Sequence, residues 1–378
     1  MGITALWPLL ELIATVVSAT APTRGLADEV VGLDMSVLIH AALAAPDDAL
    51  ELVLGNPAPA AALARVRNAV DWLTAHCKGV VCVFDGAPRP EKRAEEAQRK
   101  QRREDATRKA RDAYRKIKND PALRQLLREA ASITPEFKRE CVYTVVELGL
   151  RPIMAPFEAD GQLAWLYKRG HASLIVTNDG DLLALGCRVL RIEPARPFMF
   201  MDGAPRVYDL GLAVARMPAT QPVGPDLTWL LGNYGKDAAS TVQLLLVWAA
   251  LLGCDVNHRS DGKGKGLLKG FGPVAACRVL QYLGSHCSGK ASEWTAQQVV
   301  AALRAAEYRS KAAALAALPS DAVQQIEAVF AAFREQPVLQ DVLERDEMGL
   351  IGPLCGGSYS DLPRSAWHSV QLPAASTG

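Results

Sequence analysis

Short, unbroken apolar runs rich in β-branched residues punctuate the first half of the chain: Val30-Val-Gly-Leu33, Val80-Val-Cys-Val-Phe84, residues 151–155 and Ser173-Leu-Ile-Val-Thr177. Runs of this length bounded by turn residues read as strands buried on both faces. Helical stretches alternate with them. A helix over 36–43 follows the first strand, residues 44–60 read as an irregular Ala/Pro/Asp-rich connection, and a helix over 61–77 leads to the second strand. Thr134-Pro135-Glu136 starts a further helix, with Thr as N-cap and Pro in the first turn, and Gly149 stops it. Another runs over 160–169 and stops at Gly170. Such alternation predicts an α/β fold with a central, mostly parallel sheet flanked by helices. Residues 3–17 read as an apolar helix, and 202–241, broken by Gly and Pro, give no clear element. Beyond them come an apolar helix over 242–252, a helix over 273–283 opened by Gly270-Phe-Gly-Pro273, Ala-rich helix over 291–345 and a tail over 352–378.

The strand ends carry the chemistry. Leu33 is followed by Asp34 and Phe84 by Asp85-Gly86; the last two strands are followed by Glu158-Ala-Asp160 and Asp179-Gly-Asp181. Ligands of open α/β sheets bind beyond the carboxyl ends of the strands. Residues two apart on an extended segment point the same way, so each acid pair can aim at one point. Any single pair has a competing reading as helix caps or solvated charge. Recurrence at strand after strand points instead to one acidic site, which needs a cation to stay ionised. The eight cysteines form no C-x-x-C and the six histidines no H-E-x-x-H, so the ligands would be oxygens and the ion magnesium or manganese rather than zinc.

Net charge is only +1, but residues 89–118 hold 13 Lys/Arg against 6 Asp/Glu, so this block carries +7 and the rest of the chain −6. It contains no Gly or Pro past Pro90 and is expected to be a helix lacking an apolar stripe, resting on solvent or projecting over a groove. An acidic site beside a basic block suits a polyanionic substrate whose reacting phosphate needs metal ions. Gly262-Lys-Gly-Lys-Gly266 and Gly270-Phe-Gly272, entering a helix N-terminus, are a candidate phosphate grip or a tight helix–turn–helix linker. No Walker A and no Gly-x-Ser-x-Gly occurs. No apolar run is long enough for a membrane span, and the N-terminus has no basic region preceding its apolar residues, so an intracellular protein is expected.

With these residues in view, the chain resembles the flap-endonuclease/XPG-type family of 5′ nucleases, most closely its exonuclease-one branch. The likeness covers roughly residues 1–285. It rests on Met-Gly-Ile at the start, Leu33-Asp34, Val-Phe-Asp85-Gly, Pro-Phe-Glu158-Ala-Asp160-Gly-Gln-Leu-Ala, Thr-Asn-Asp179-Gly-Asp181-Leu-Leu-Ala-Leu-Gly-Cys, Gly-Cys-Asp255 and Gly270-Phe-Gly-Pro. The resemblance implies a PIN-like 5′ nuclease core over 1–235 with a helical arch at about 88–133, and a helix–two-turn–helix region over 236–345 before the tail at 346–378. It implies that Asp34, Asp85, Glu158, Asp160, Asp179, Asp181 and Asp255 bind two Mg²⁺ or Mn²⁺ ions. Lys92 and Arg99, seven apart on one face of the arch helix, would reach the scissile phosphate. Gly2, His40, Arg93, Arg103, Gly270, Phe271 and Gly272 would contact DNA, His40 by stacking on the duplex-end base, with a potassium ion at the glycine hairpin.

The implied activity is structure-specific cleavage of duplex DNA at 5′ ends or flaps by a nuclear monomer in repair or replication. It would act as a 5′→3′ exonuclease with flap cleavage. A flap endonuclease proper and a catalytically silent DNA-binding protein of the same fold are the alternatives; a metal-dependent phosphatase would need neither basic helix nor hairpin. The chain departs from the family at Asn178, where a Glu is usual, at Val256, where a Tyr is usual, and in the longer spacing from Asp255 to Gly270.

Overall fold

The computed structural model describes residues 3, 6, 7, 10, 14–16, 25–87, 93–116, 121–192, 198–202, 205–211, 226–254, 266–268, 271–308, 311–316, 318–334 and 338. Seven strands form one sheet: β1 (Ala14–Val16), β2 (Val30–Asp34), β3 (Gly79–Phe84), β4 (Pro152–Met154), β5 (Leu174–Thr177), β6 (Val189–Arg191) and β7 (Arg206–Tyr208). Their spatial order is β1-β7-β6-β5-β2-β3-β4. β2 lies parallel to both β3 and β5, and β4 and β6 extend the parallel set on either side. β7 pairs antiparallel with β6 and with β1, closing one edge. From β2 the chain winds outward through β3 and β4, then returns to β2's other side for β5 and β6. That reversal opens a crevice at the carboxyl end of β2, the usual place for a ligand in such sheets.

The side chains of β5 alternate as the pleat requires, Leu174 and Val176 entering one apolar cluster and Ile175 the other. The first cluster is covered by α1 (Met35–Ala42), α3 (Ala60–His76) and α6 (Pro135–Glu147). The second is covered by α7 (Ala159–Lys168) and α8 (Asp181–Ala184), and continues into α9 (Leu227–Tyr234), α10 (Ala238–Leu252), α11 (Pro273–His286), α12 (Ala296–Ala305), α13 (Lys311–Ala316) and α14 (Ala322–Arg334). α10 is buried almost all round, as its apolar sequence requires. Its one buried amide, Gln243, donates to the Trp294 carbonyl at 2.8 Å and accepts from Arg334 at 2.8 Å, so α14 is tied to it without an unmet polar group.

Three expectations change. The stretch 3–17, read as a helix, holds strand β1 at Ala14–Val16: an apolar run without a sharp period does not choose between helix and strand, and pairing with β7 decides it. The connection 44–60 contains α2 (Pro46–Leu54), whose signals are ordinary: Pro46 at the start, Asp47 and Asp48 in the first turn, and Gly55 at φ 105° as C-cap. Buried Asp48 is paired with Arg65. Among the described residues, the Ala-rich stretch after 291 holds three separate α-helices. The tail lies outside the described residues.

The basic block is α4 (Arg93–Lys116), which pairs with α5 (Pro121–Ala130) as a hairpin. Its buried residues are Ala106 and Ala110, which meet Leu123 and Leu127 of α5 and Ala49 and Val53 of α2 in a third, small apolar cluster. Arg111 adds a hydrogen bond from Nε to the Val53 carbonyl (2.6 Å) at the last turn of α2.

Candidate metal and nucleic-acid site

Each predicted acid within the described residues arrives at the carboxyl end of a strand with its geometry set by neighbours. Asp34 ends β2, buried, and serves as N-cap of α1: its Oδ1 accepts from the Val37 amide at 3.2 Å, while Oδ2 accepts from the Thr177 hydroxyl at 2.8 Å. The ends of β2 and β5 are thereby joined through a carboxylate. Asp85, just past β3, accepts from Ser36 Oγ at 2.5 Å on one oxygen and from the Ala159 amide at 2.7 Å on the other. The cap reading and the site reading therefore coexist at both residues: the same hydrogen bonds that start helices α1 and α7 also aim the acids.

Gly86 explains why the loop carrying Glu158 can approach so closely. A Cβ there would lie 1.9 Å from the Ala155 carbonyl oxygen, and the Gly86 amide donates to the Phe157 carbonyl at 2.5 Å. Glu158 is the N-cap residue of α7 and Asp160 sits in its first turn. Past β5, the Asp179 amide donates to Thr177 Oγ1 and the Asp181 amide to Asp179 Oδ1, both at 3.0 Å, which curls the second pair into α8.

Asp160, Asp179 and Asp181 present carboxylate oxygens that all lie within 4.8 Å of one another. The charges respond to this crowding. Asp34 is pushed from 3.8 to about 7, first by burial and then by the charge of Asp85, with Asp179 adding to it. Asp160 is held well above the usual carboxylate range by burial and by Asp179, Asp34, Glu158 and Asp181, in that order. Six acids from four strand ends thus interact in one site, and they oppose one another's ionisation. An all-oxygen donor set with this surplus of negative charge fits hard divalent cations.

The basic side faces the same place. His40, on α1, is brought down from 6.5 to about 4 by burial and by Arg103 and Arg99, with Asp85 opposing. It is a neutral ring at neutral pH, set between the acids and the arginines of α4. Arg99, Arg102, Arg103 and Lys109 line a cleft of about 560 Å³ along that helix. Lys138, on α6, was not singled out from sequence, yet its ammonium donates to the Asp85 carbonyl, and burial holds it below its usual value. Ser36 and Thr177, which fix Asp85 and Asp34, were also missed; each stands two residues from a different acid at a strand end, Ser36 from Asp34 and Thr177 from Asp179, and only the fold pairs them across strands.

Lys92, Asp255, Gly2 and Gly270 lie outside the described residues, as does the side chain of Arg93, whose backbone opens α4. The Phe271 ring is buried, edge-on to Tyr308 at 5.4 Å, so it packs the helical region and leaves its backbone as the group that would meet DNA. Gly272 is the N-cap of α11, and a Cβ there would meet nothing within 4 Å, leaving the helix N-terminus open. Gly266, at φ 89°, lies where a Cβ would be 2.7 Å from the Leu252 carbonyl, so it sits beside the end of α10. Residues 255–265, which hold the longer spacing, lie outside the described residues.

Comparison with known proteins agrees with this geometry. The family profile of the XPG N-terminal domain matches residues 1–106, and that of the XPG I-region matches residues 149–194. Exodeoxyribonuclease 1 of Saccharomyces cerevisiae is 31% identical over 191 residues, covering 50% of this chain and 26% of that protein. Flap endonuclease 1 of Glossina morsitans morsitans is 34% identical over 200 residues, covering 53% and 44%. The matched stretch spans only 25% of the exonuclease 1 of Xenopus laevis and 15% of that of Danio rerio. A solved catalytic core of Rad2 in complex with DNA substrate shares the fold, with a TM-score of 0.51 at 19% identity, covering 90% of this chain and 88% of that one.

Proposed function

We propose, from its matches to the XPG N-terminal and I-region profiles and its similarity to exonuclease 1, that this chain is a structure-specific DNA 5′ nuclease of the XPG/flap-endonuclease family, on its exonuclease-1 branch. Its principal action is 5′→3′ exonucleolytic hydrolysis from duplex ends, with 5′-flap cleavage by the same site, leaving 5′-phosphate and 3′-hydroxyl products. The observation that carries the reading is the convergence of six carboxylates at the carboxyl edge of the sheet, facing the arginines of α4. In this reading Asp34, Asp85, Glu158, Asp160, Asp179 and Asp181, joined by Asp255, hold two Mg²⁺ or Mn²⁺ ions. When bound, such ions supply the charge that makes water nucleophilic at neutral pH and stabilises the departing 3′ oxygen.

The chain's own groups do the rest. Arg99, joined by Lys92, would offset charge developing on the phosphate. Arg93 and Arg103 guide the strand along α4, and neutral His40 offers an uncharged face to the terminal base. The helix–two-turn–helix over 236–345 would hold the duplex phosphates through its loop at 270–272, at a distance from the core over 1–235, and a potassium ion bound at that loop would add positive charge toward them. Magnitudes favour electrostatic positioning over covalent catalysis: no activated nucleophile is among the described residues, and the described cysteine thiols with resolved shifts are raised, most to about 12.

Cleavage of a duplex with a recessed 5′ end, beside one with a 5′ flap, both in Mg²⁺ and labelled at either terminus, tests the proposal. Mononucleotides released from the 5′ end, and lost with Asp179→Ala by at least about 10³-fold at unchanged duplex affinity, are expected. A single flap-length product would move the chain to the flap-endonuclease reading, which the similarity to flap endonuclease 1 supports. Cleavage that survives Asp179→Ala would sink both.

A further inference from the structure

The second acid pair sits on a short turn, and that turn is gripped from the N-terminal side of the molecule. The indole N–H of Trp7 donates to the Asn178 carbonyl at 3.2 Å. The face of the same ring lies 4.5 Å from the guanidinium carbon of Arg191, and its edge meets Tyr208 at 4.9 Å. Arg191, on β6 and in register with Thr177, donates from Nε to the Asn178 side-chain oxygen at 3.4 Å. Asn178 is therefore held at both its backbone and its side chain, one residue before Asp179. On the other side of the acid, Gly180 is pressed against buried Leu6: a Cβ there would lie 3.1 Å from Leu6 Cδ2.

We infer that Trp7, Asn178 and Arg191 are positioning residues that hold the Asp179-Gly180-Asp181 turn in shape, so that seating of the N-terminal segment sets the affinity of the acidic site for divalent ions. Asparagine suits this role where a glutamate would not. It gives Arg191 an acceptor without adding a charge beside acids that already oppose one another's ionisation. The cation–π contact fixes the guanidinium, and through it the amide, so the three side chains act as one unit. Because Asp179 and Asp181 must both face one point, loss of these contacts is expressed in ion binding more than in global stability.

The inference rests on the metal-site reading, and Mn²⁺ titration calorimetry of the full chain without DNA separates the two. Wild type is expected to bind saturably, and Asp179→Ala to lose binding. Trp7→Leu and Arg191→Gln are each expected to weaken Mn²⁺ about fivefold, and the double variant by clearly less than the product, because both act through one turn. Asn178→Ala, which leaves the packing of Trp7 intact, is expected to weaken it about threefold and covers the case in which Trp7→Leu fails to fold. Unchanged Mn²⁺ affinity in variants that melt earlier would overturn the inference and leave the trio as packing. Absence of saturable binding to wild type, or binding undiminished by Asp179→Ala, would remove the metal site and this inference with it.

Discussion

Asp85 shows how far the site depends on residues that are not themselves ligands. Both its carboxylate oxygens are engaged, one by Ser36 Oγ at 2.5 Å and one by the Ala159 amide at 2.7 Å. Replacing Ser36 with Ala removes one neutral-to-charged hydrogen bond, which costs on the order of 1–2 kcal/mol. The carboxylate would still be held by the start of α7 but free to rotate about that contact. Ser36→Ala is therefore expected to lower single-turnover cleavage about tenfold while DNA affinity stays within twofold and the melting temperature falls by only a few degrees. Equal losses in rate and affinity would place Ser36 at the DNA instead. At this scale the acids were legible in sequence because each ends an apolar run, and a charge at such a place has few structural uses. Lys138 was not legible: it stands in a helix of mixed polarity, and only the fold brings it to the Asp85 carbonyl. The inward packing of the Phe271 ring against Tyr308 was likewise not legible in sequence.

Among the elements, the four parallel strands β2, β3, β4 and β5 were read correctly because burial on both faces leaves a run that is apolar throughout. β1, β6 and β7 escaped notice because three-residue strands carry too few positions to show a period, and β7 stands in a stretch broken by Gly and Pro. The omission that matters most is α2, since it is what the arch rests on. Among its described side chains α4 fully buries only Ala106 and Ala110, with Tyr114 packed partly buried beside them, and its attachment to α2 runs through this cluster, Val53 and the Arg111–Val53 bond. Arg99 and Arg103 lie two to three turns further along the same helix, at about 1.5 Å per residue, so this contact sets where they sit. Ala110→Asp would bury an unpaired carboxylate at a fully enclosed position and release the hairpin. The expected result is a more than tenfold fall in turnover and faster proteolysis within residues 93–130, with the main melting transition shifted by under about 3 °C, because the two large apolar clusters are untouched. Loss of the whole transition instead would show that the arch is integral to the core.

For the molecule as a whole, the acidic site is a cost to folding that a cation relieves, and pH controls how large that cost is. Asp34 moves from 3.8 to about 7 and Asp160 moves in the same direction, so between these values the folded chain holds more protons than the unfolded one. Stability without metal therefore falls as pH rises through about 4 to 7, by at most on the order of 4 kcal/mol for Asp34. His40 acts with the opposite sign: lowered from 6.5 to about 4, it favours the folded state as pH rises through that interval. A melting curve in chelator alone mixes the two. The difference between melting temperatures in Mg²⁺ and in chelator isolates the acids, since divalent ions bind the deprotonated cluster and stabilise by mass action. That difference is expected to be near zero at pH 5, to grow to several degrees by pH 7.5 and then to level off. Asp160→Asn should flatten it, whereas Arg103→Gln should leave its shape unchanged. A Mg²⁺ effect equally large at pH 5 and pH 8 would mean that the ion binds elsewhere, and that the crowded carboxylates are held for structure rather than for metal.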